Sequence, residues 1–85
     1  MQQIFVGMGS NINREKNIQN GIAALKNTFG DLLLSSVYET ISHGFDGENF
    51  YNLVIGFLSD ESAESIFCRL REIECKYGKI QKHSK

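Results

Sequence analysis

Two residues with complementary chemistry open the most strongly β-favouring segment of the chain. Phe50 and Asn52 stand two positions apart at the start of FYNLVIGFL. Side chains two positions apart on a β-strand point to the same face. An aromatic ring can stack on a flat heterocycle, while an amide donates and accepts hydrogen bonds at its edge. The pair could form a site for a planar polar ligand, but ordinary core packing by Phe50 and a turn amide at Asn52 are the commoner explanation.

A glycine pair, Gly7 and Gly9, follows the first apolar run and invites comparison with phosphate-binding loops. Ile12 stands where a G-x-G-x-x-G motif needs its third glycine, and no G-K-[ST] sequence follows. Neither common nucleotide motif is therefore present. The pair is better explained by a tight turn that lets the backbone pass close to a neighbouring group.

Potential metal ligands are few. His43 and His83 each lack a second ligand at helical or hairpin spacing. Asp46 and Glu48 share a loop, where a pair of carboxylates is usually solvated. The sequence predicts no metal site built from these residues alone.

Charged residues gather near the end of the chain. Glu74 lies beside the apolar stripe of the last predicted helix, where it is either a solvated flanking residue or faces a site. Lys79, Lys82, His83 and Lys85 form a basic stretch beyond that helix. Such a stretch is usually a solvated tail, and the alternative is that it attracts a polyphosphate.

The first half of the chain must position these residues through one helix and two strands. An apolar run ending in glycines predicts a strand at 2–8. Apolar residues at helical spacing predict a helix at 14–29, which Asn13 would cap and Gly30 would end. Alternating β-favouring residues predict a strand at 32–40, with Leu34, Tyr38 and Thr40 on one face.

A third strand at 50–58 and a second helix complete the pattern. Ser59 or Asp60 would cap that helix, and Gly78 would end it. Its inner stripe is predicted to consist of Ala63, Ile66, Phe67, Leu70, Ile73 and Tyr77.

The order β-α-β-β-α is typical of an α+β sandwich, with helices on one face of a mostly antiparallel sheet. It contains five of the six elements of the ferredoxin-like pattern β-α-β-β-α-β and lacks the final strand. That strand would lie beside the first one. Residues 3–8 would then form an open apolar edge, so we expect homo-oligomers that associate through this edge.

Size and composition narrow the class of protein. The chain has 85 residues, a net charge of −1 and no long apolar run, which predicts a single domain at 1–85 without a membrane span or a nucleic-acid partner. No signal peptide is recognised at its start. Cys68 and Cys75 lie seven residues apart on one predicted helix, too far apart for a disulfide. We interpret them as reduced core or flanking residues of a cytoplasmic protein.

The whole pattern resembles the N-terminal portion of the 6-hydroxymethyl-7,8-dihydropterin pyrophosphokinase family of the folate pathway. The resemblance spans nearly all 85 residues and depends on four segments in this order: GMGSNIN, SSVYET, FYNLVIGF and LREIECKYGK. Members of this family transfer the pyrophosphoryl group of ATP to the hydroxymethyl group of a pterin, using two magnesium ions. The resemblance therefore implies pterin, ATP and Mg²⁺ as ligands.

The resemblance also implies roles for individual residues. Phe50 matches the aromatic residue that stacks on the pterin, usually a tyrosine, and Asn52 matches the amide at the pterin edge. Glu74 matches a carboxylate on the ATP side. The remaining matched positions contact or approach the substrates: Gly9, Thr40, Ile41 and His43.

Departures from the family pattern affect both substrates. Ile41 and Ser42 replace two prolines, and Gln81 replaces an arginine. The segment carrying the family's triphosphate-binding arginines and its magnesium-binding aspartate pair has no counterpart in the 85 residues. Pyrophosphoryl transfer depends on positioning and on charge neutralisation by those ions. We therefore expect the chain to lack useful catalytic activity on its own.

Two alternatives to a partial pyrophosphokinase stay open from the sequence. The chain could bind a pterin or nucleotide without turning it over. It could also be a structural α+β module that self-associates and binds no small molecule. Substitution of Phe50 and Asn52 distinguishes these alternatives, since only a pterin-binding protein should respond to it.

Overall fold

The computed structural model describes residues 1–41 and 49–83, the last three by their backbone alone. Within these ranges the elements follow in the order β1 (Gln2–Ser10), α1 (Arg14–Phe29), β2 (Leu33–Leu34), β3 (Tyr38–Thr40), β4 (Phe50–Ser59), α2 (Ala63–Tyr77) and β5 (Lys79–His83). The first helix has the bounds that were predicted, 14–29. The strands predicted at 2–8 and 50–58 extend slightly further, to Ser10 and Ser59.

The strands form one antiparallel sheet with β1 and β4 at its centre. The order is β2-β4-β1-β5, and β3 also pairs with β4 on the side that β2 occupies. The long central pairing runs from Gln2 opposite Ser59 to Ser10 opposite Tyr51. The predicted α+β class with a mostly antiparallel sheet is confirmed.

Both helices cover the same face of the sheet. Alternate residues are buried along both central strands, as expected for strands with one face in a core. They are Ile4, Val6 and Met8 of β1 and Leu53, Ile55 and Phe57 of β4. They share a single cluster with buried residues of both helices and of β5; its members are Ile4, Val6, Met8, Ile18, Leu25, Leu53, Ile55, Phe57, Ile66, Leu70, Ile73 and Ile80. The intervening strand residues, Gly9 and Asn52 among them, lie on the face without helices.

The prediction that the final strand is missing is wrong. β5 pairs with β1 from Lys79 opposite Gly9 to His83 opposite Phe5, which completes the β-α-β-β-α-β order. Its basic composition concealed it, although Ile80 reaches the core. The unpaired backbone groups of β1 require partners, and these residues supply them. The open edge predicted at 3–8 is therefore paired from Phe5 onward, while self-association itself stays a prediction.

The strand predicted at 32–40 is interrupted. Leu34 lies opposite Ile55, and Tyr38 lies opposite Asn52. The segment from Leu34 to Tyr38 therefore advances four residues while β4 advances only three. This extra residue is the signature of a β-bulge. Within it, the Val54 N–H donates to Ser35 Oγ at 2.8 Å. The bulge places Thr40 on the face opposite to that of Leu34, which contradicts the alternation predicted from the sequence.

The helix ends differ in part from the predicted caps. Asn13 adopts a left-handed conformation (φ 43°) and its side chain makes no capping hydrogen bond. Ser62, rather than Ser59 or Asp60, caps α2 by accepting a hydrogen bond from Ser65 N. Gly30 and Gly78 end the two helices, as predicted.

The inner stripe of α2 is narrower than the one predicted. Ile66, Leu70 and Ile73 are buried, but Ala63 and Phe67 are exposed, and Phe67 retains 53% of its accessible surface. Phe67 follows Ile66 by one residue and so points about 100° away from it around the helix.

Cys68 and Cys75 are both free thiols at exposed positions of α2, which agrees with the predicted absence of a disulfide. Across residues 1–41 and 49–83, no helix combines the length and apolar character needed to cross a membrane.

Candidate functional site

A cleft of about 300 Å³ lies at the end of the sheet where β1, β3, β4 and β5 meet. Its lining residues come mostly from the face without helices: Gly7, Met8, Gly9, Tyr38, Thr40, Phe50, Asn52, Leu53 and Lys79. Thr40, Phe50, Asn52 and Gly9, four of the residues predicted to bind substrate, are therefore brought together. They come from three different strands.

The side chain of Asn52 occupies the centre of this group. Its Nδ2 donates to Thr40 Oγ1 at 2.8 Å and more weakly to the Phe50 carbonyl oxygen at 3.4 Å. A carbonyl oxygen can only accept, so the amide must present its nitrogen to Phe50. Asn52 Oδ1 accepts no hydrogen bond from the described residues. This oxygen and the Thr40 hydroxyl proton are available to the edge of a ligand.

Gly9 makes room for Asn52. A Cβ atom at residue 9 would lie 2.6 Å from Asn52 Oδ1, well inside van der Waals contact. The amide therefore crosses directly over the backbone of β1 only because residue 9 has no side chain. This close approach agrees with the predicted passage of the backbone near a neighbouring group, but the predicted tight turn is wrong, because Gly7 and Gly9 both lie within β1.

Two aromatic rings line the cleft. Phe50 is half-buried where β4 begins, and Tyr38 is 51% exposed on β3. Tyr38 lies directly opposite Asn52, so its side chain is on the same face as the amide. The sequence did not mark Tyr38 as a site residue, although its spacing of two from Thr40 carried that information.

Lys79 gives the cleft a positive charge. It lies opposite Gly9 at the start of β5 and its side chain is exposed. Sequence reasoning assigned it to a basic stretch without placing it in a site. Only the pairing of β5 with β1 brings this residue to the cleft.

The family comparison favours one of the alternatives that the sequence left open. The family model for 7,8-dihydro-6-hydroxymethylpterin-pyrophosphokinase (HPPK) matches residues 5–85. The chain belongs to this pyrophosphokinase family. A search of curated proteins found no match. The resemblance is thereby confirmed, and a function like that of the pterin pyrophosphokinases follows from membership.

Three residues assigned from the pyrophosphokinase pattern lie away from the observed cleft or outside the described ranges. Ile41 is 69% exposed and does not line the cleft. His43 lies outside the described residues. Glu74 is half-buried, and its Oε2 accepts a hydrogen bond from Ile80 N at 3.2 Å. Glu74 thus joins the end of α2 to β5, and its ATP-side role stays a prediction.

Magnesium, which the pyrophosphokinase family uses, has no matching ligand set in the described part of the chain. Residues 1–41 and 49–83 contain no cluster of three or more His, Cys, Asp or Glu side chains. A Mg²⁺ site is normally built from carboxylate oxygens and substrate phosphates. The described residues therefore offer no carboxylate cluster of the kind that holds Mg²⁺.

Proposed function

We propose that this pyrophosphokinase-family chain binds 6-hydroxymethyl-7,8-dihydropterin in the cleft, as the acceptor of pyrophosphate from ATP. One observation carries the proposal: the Asn52 amide is hydrogen-bonded to Thr40 beside the Phe50 ring, directly over Gly9. Family membership supplies the reaction class, and this arrangement supplies the chemistry that the acceptor requires.

A pterin suits this arrangement because it is flat and carries donors and acceptors around its edge. The Phe50 ring can cover one face of the heterocycle by stacking. Asn52 Oδ1 can accept from the pterin edge and the Thr40 hydroxyl can donate to it. The cleft volume of about 300 Å³ is at the small end of ligand sites, which matches a bicyclic ligand.

ATP would approach from the side of Lys79. An ammonium group attracts a triphosphate as a compact positive charge. The described residues offer no ligand cluster for magnesium. Their contribution is to bind the pterin, to fix its orientation and to place a positive charge nearby.

We also propose a cytoplasmic location. The support is the pair of free, exposed thiols, Cys68 and Cys75, because reducing compartments preserve free cysteines. Measurement of the thiol state in protein taken directly from cells checks this point.

Titration of the intact chain with the pterin, followed by pterin fluorescence, tests the proposed function. We expect Phe50→Ala to weaken binding by about tenfold or more, since stacking on an aromatic side chain contributes about 1–3 kcal/mol. Asn52→Ala should weaken binding about tenfold, because it removes an amide partner from the ligand edge.

Phe67→Ala is the matched control, since it removes an exposed aromatic ring of α2 outside the cleft. It should bind pterin as the parent chain does. Absence of pterin binding by the parent chain would overturn the proposal. Equal affinities for the parent chain and both cleft variants would overturn the assigned site. An assay of AMP release from ATP, run on the same protein, establishes whether transfer accompanies binding.

Lys79→Ala separates the nucleotide side of the cleft from the pterin side. We expect it to weaken ATP binding about three- to tenfold at low salt, with a smaller effect at high salt, because exposed charges are screened. Pterin affinity should change less than ATP affinity. Calorimetric titration with ATP at two ionic strengths measures this effect, and equal ATP affinities at low salt would remove Lys79 from the nucleotide side.

A further inference from the structure

Arg14 joins the start of α1 to both strands that carry the pterin-facing residues. Its Nη1 donates to Asn49 O at 2.9 Å and to Glu39 Oε2 at 3.2 Å. Its guanidinium carbon lies 4.0 Å from the centre of the Tyr51 ring. Asn49 Nδ2 also donates to Glu39 Oε2, at 3.3 Å. The guanidinium therefore contacts the residue before Thr40 and the residue before Phe50.

Helix formation does not explain this position of Arg14. It is the first residue of α1, and a cation in the first turn is disfavoured by the helix dipole. Its side chain retains 19% of its accessible surface while that of Glu39 retains 51%, so the ion pair is partly exposed and contributes little by itself. The planar guanidinium can bridge two acceptors and stack on a ring together, which an ammonium cannot do.

β3 depends on such contacts. It consists of three residues, all exposed, and it pairs with β4 along one side. It contributes no buried residue to the core. A strand this short gains little stability from its ladder alone. Glu39 and Thr40 point to opposite faces of β3, so a contact on the Glu39 side can hold Thr40 without occupying the cleft.

We propose that Arg14 is a positioning residue of the pterin site. It holds β3 against β4 from the face covered by the helices. It thereby maintains the hydrogen bond that Asn52 Nδ2 donates to Thr40 Oγ1. This inference rests on the proposed function for its effect on binding. Its structural part, the fixing of β3, does not require a ligand.

The first experiment measures hydrogen exchange by NMR in the unliganded chain. Arg14→Ala should speed exchange at the β3 amides and at the Asn52 side-chain amide by about fivefold or more, because opening of β3 becomes easier. Arg71→Ala is the matched control. Arg71 also lies over an aromatic ring, 5.5 Å from the centre of Phe67, but it does not line the cleft. It should leave these exchange rates unchanged.

The second experiment measures pterin affinity in two backgrounds. Arg14→Ala should weaken pterin binding about fivefold in the parent chain and less than twofold in Thr40→Ala, because residues that act through one contact are not additive. Arg14→Lys retains the charge but not the planar fork, so it should give an intermediate loss. It also provides a folded variant if Arg14→Ala is too unstable to study.

The losses of pterin affinity in the two backgrounds test the positioning role of Arg14. Equal losses in both backgrounds, or no loss in either, would overturn that role while leaving pterin binding intact. A parent chain that binds no pterin would overturn the proposed function. The exchange rates would then decide the structural role alone: faster exchange in Arg14→Ala supports it and unchanged exchange overturns it.

Discussion

At the scale of single residues, the cleft depends on the absence of one side chain. Asn52 lies over Gly9 so closely that a methyl group on residue 9 would meet its Oδ1 at 2.6 Å. The next contacts of that methyl group would be ordinary, at 3.6 Å. A substitution there should therefore displace the Asn52 side chain rather than unfold the sheet.

We expect Gly9→Ala to weaken pterin binding about tenfold while the protein stays folded. The loss arises because the displaced amide can no longer contact both Thr40 and the ligand. Fluorescence titration measures the affinity, and circular dichroism checks the fold. Gly56→Ala is the matched control, because its methyl group would crowd the Phe5 ring at 3.0 Å on the same face but outside the cleft. Equal pterin affinities for Gly9→Ala and the parent chain would contradict the role given to Gly9.

The sequence identified part of this site at the residue scale. Phe50 and Asn52 were found because strand alternation is a local property, and the family resemblance added Thr40 and Gly9. Lys79 was not found, since its place depends on a pairing between residues 70 positions apart in the chain. For Glu74, the structure shows a hydrogen bond to Ile80 N, a contact that the residue pattern did not suggest.

At the scale of elements, the junction between α2 and β5 positions the charged side of the cleft. Gly78 ends α2 with φ 132°, and a methyl group there would lie 2.7 Å from the Gly9 carbonyl oxygen. Gly30 ends α1 with φ 87°, but no atom lies within 4 Å of the corresponding position. Both glycines thus adopt a positive φ that other residues avoid, but only Gly78 is also crowded by a neighbouring strand.

We expect Gly30→Ala to lower the free energy of unfolding by about 1–3 kcal/mol, which is the usual cost of a backbone conformation that other residues avoid. Gly78→Ala should cost clearly more, because the methyl group also collides with the backbone of β1. Urea denaturation of both variants measures the difference. If both substitutions cost the same, the close approach of Gly78 to β1 does not contribute to stability.

The elements themselves were predicted well where local signals govern them. The helix at 14–29 combined apolar spacing with a terminal glycine, and both signals act within the segment. The bulge between β2 and β3 was not predicted, because it arises from the match between this segment and β4. Its effect is large, since a shift of one residue exchanges the two faces of a strand.

At the scale of the whole molecule, β5 changes the expected behaviour of the sheet. β1 was predicted to be an edge strand, but it lies between β4 and β5. Ile80 attaches β5 to the core with 8% of its surface exposed. Association through β1 should therefore require that β5 detach first.

We expect Ile80→Asp to detach β5 and to produce self-association, because burial of an unpaired carboxylate is strongly unfavourable. The parent chain should associate much less strongly under the same conditions. Lys79→Asp, which changes an exposed neighbouring side chain, should associate no more strongly than the parent chain. Sedimentation velocity at several concentrations distinguishes these cases. A parent chain that associates as strongly as Ile80→Asp would contradict the protective role of β5.

The sequence by itself determined the α+β class, the helices and the central strands, because hydrophobic periodicity and terminal glycines act over short distances along the chain. It also determined the family, through motifs that each lie within one segment. Only the tertiary structure decided the role of β5, the bulge before Thr40 and the contacts of Arg14 with Glu39 and Asn49. These features depend on backbone groups and charges that find partners far away in the chain. Because no local pattern specifies such partners, the pairing of the strands alone determines which residues line the cleft.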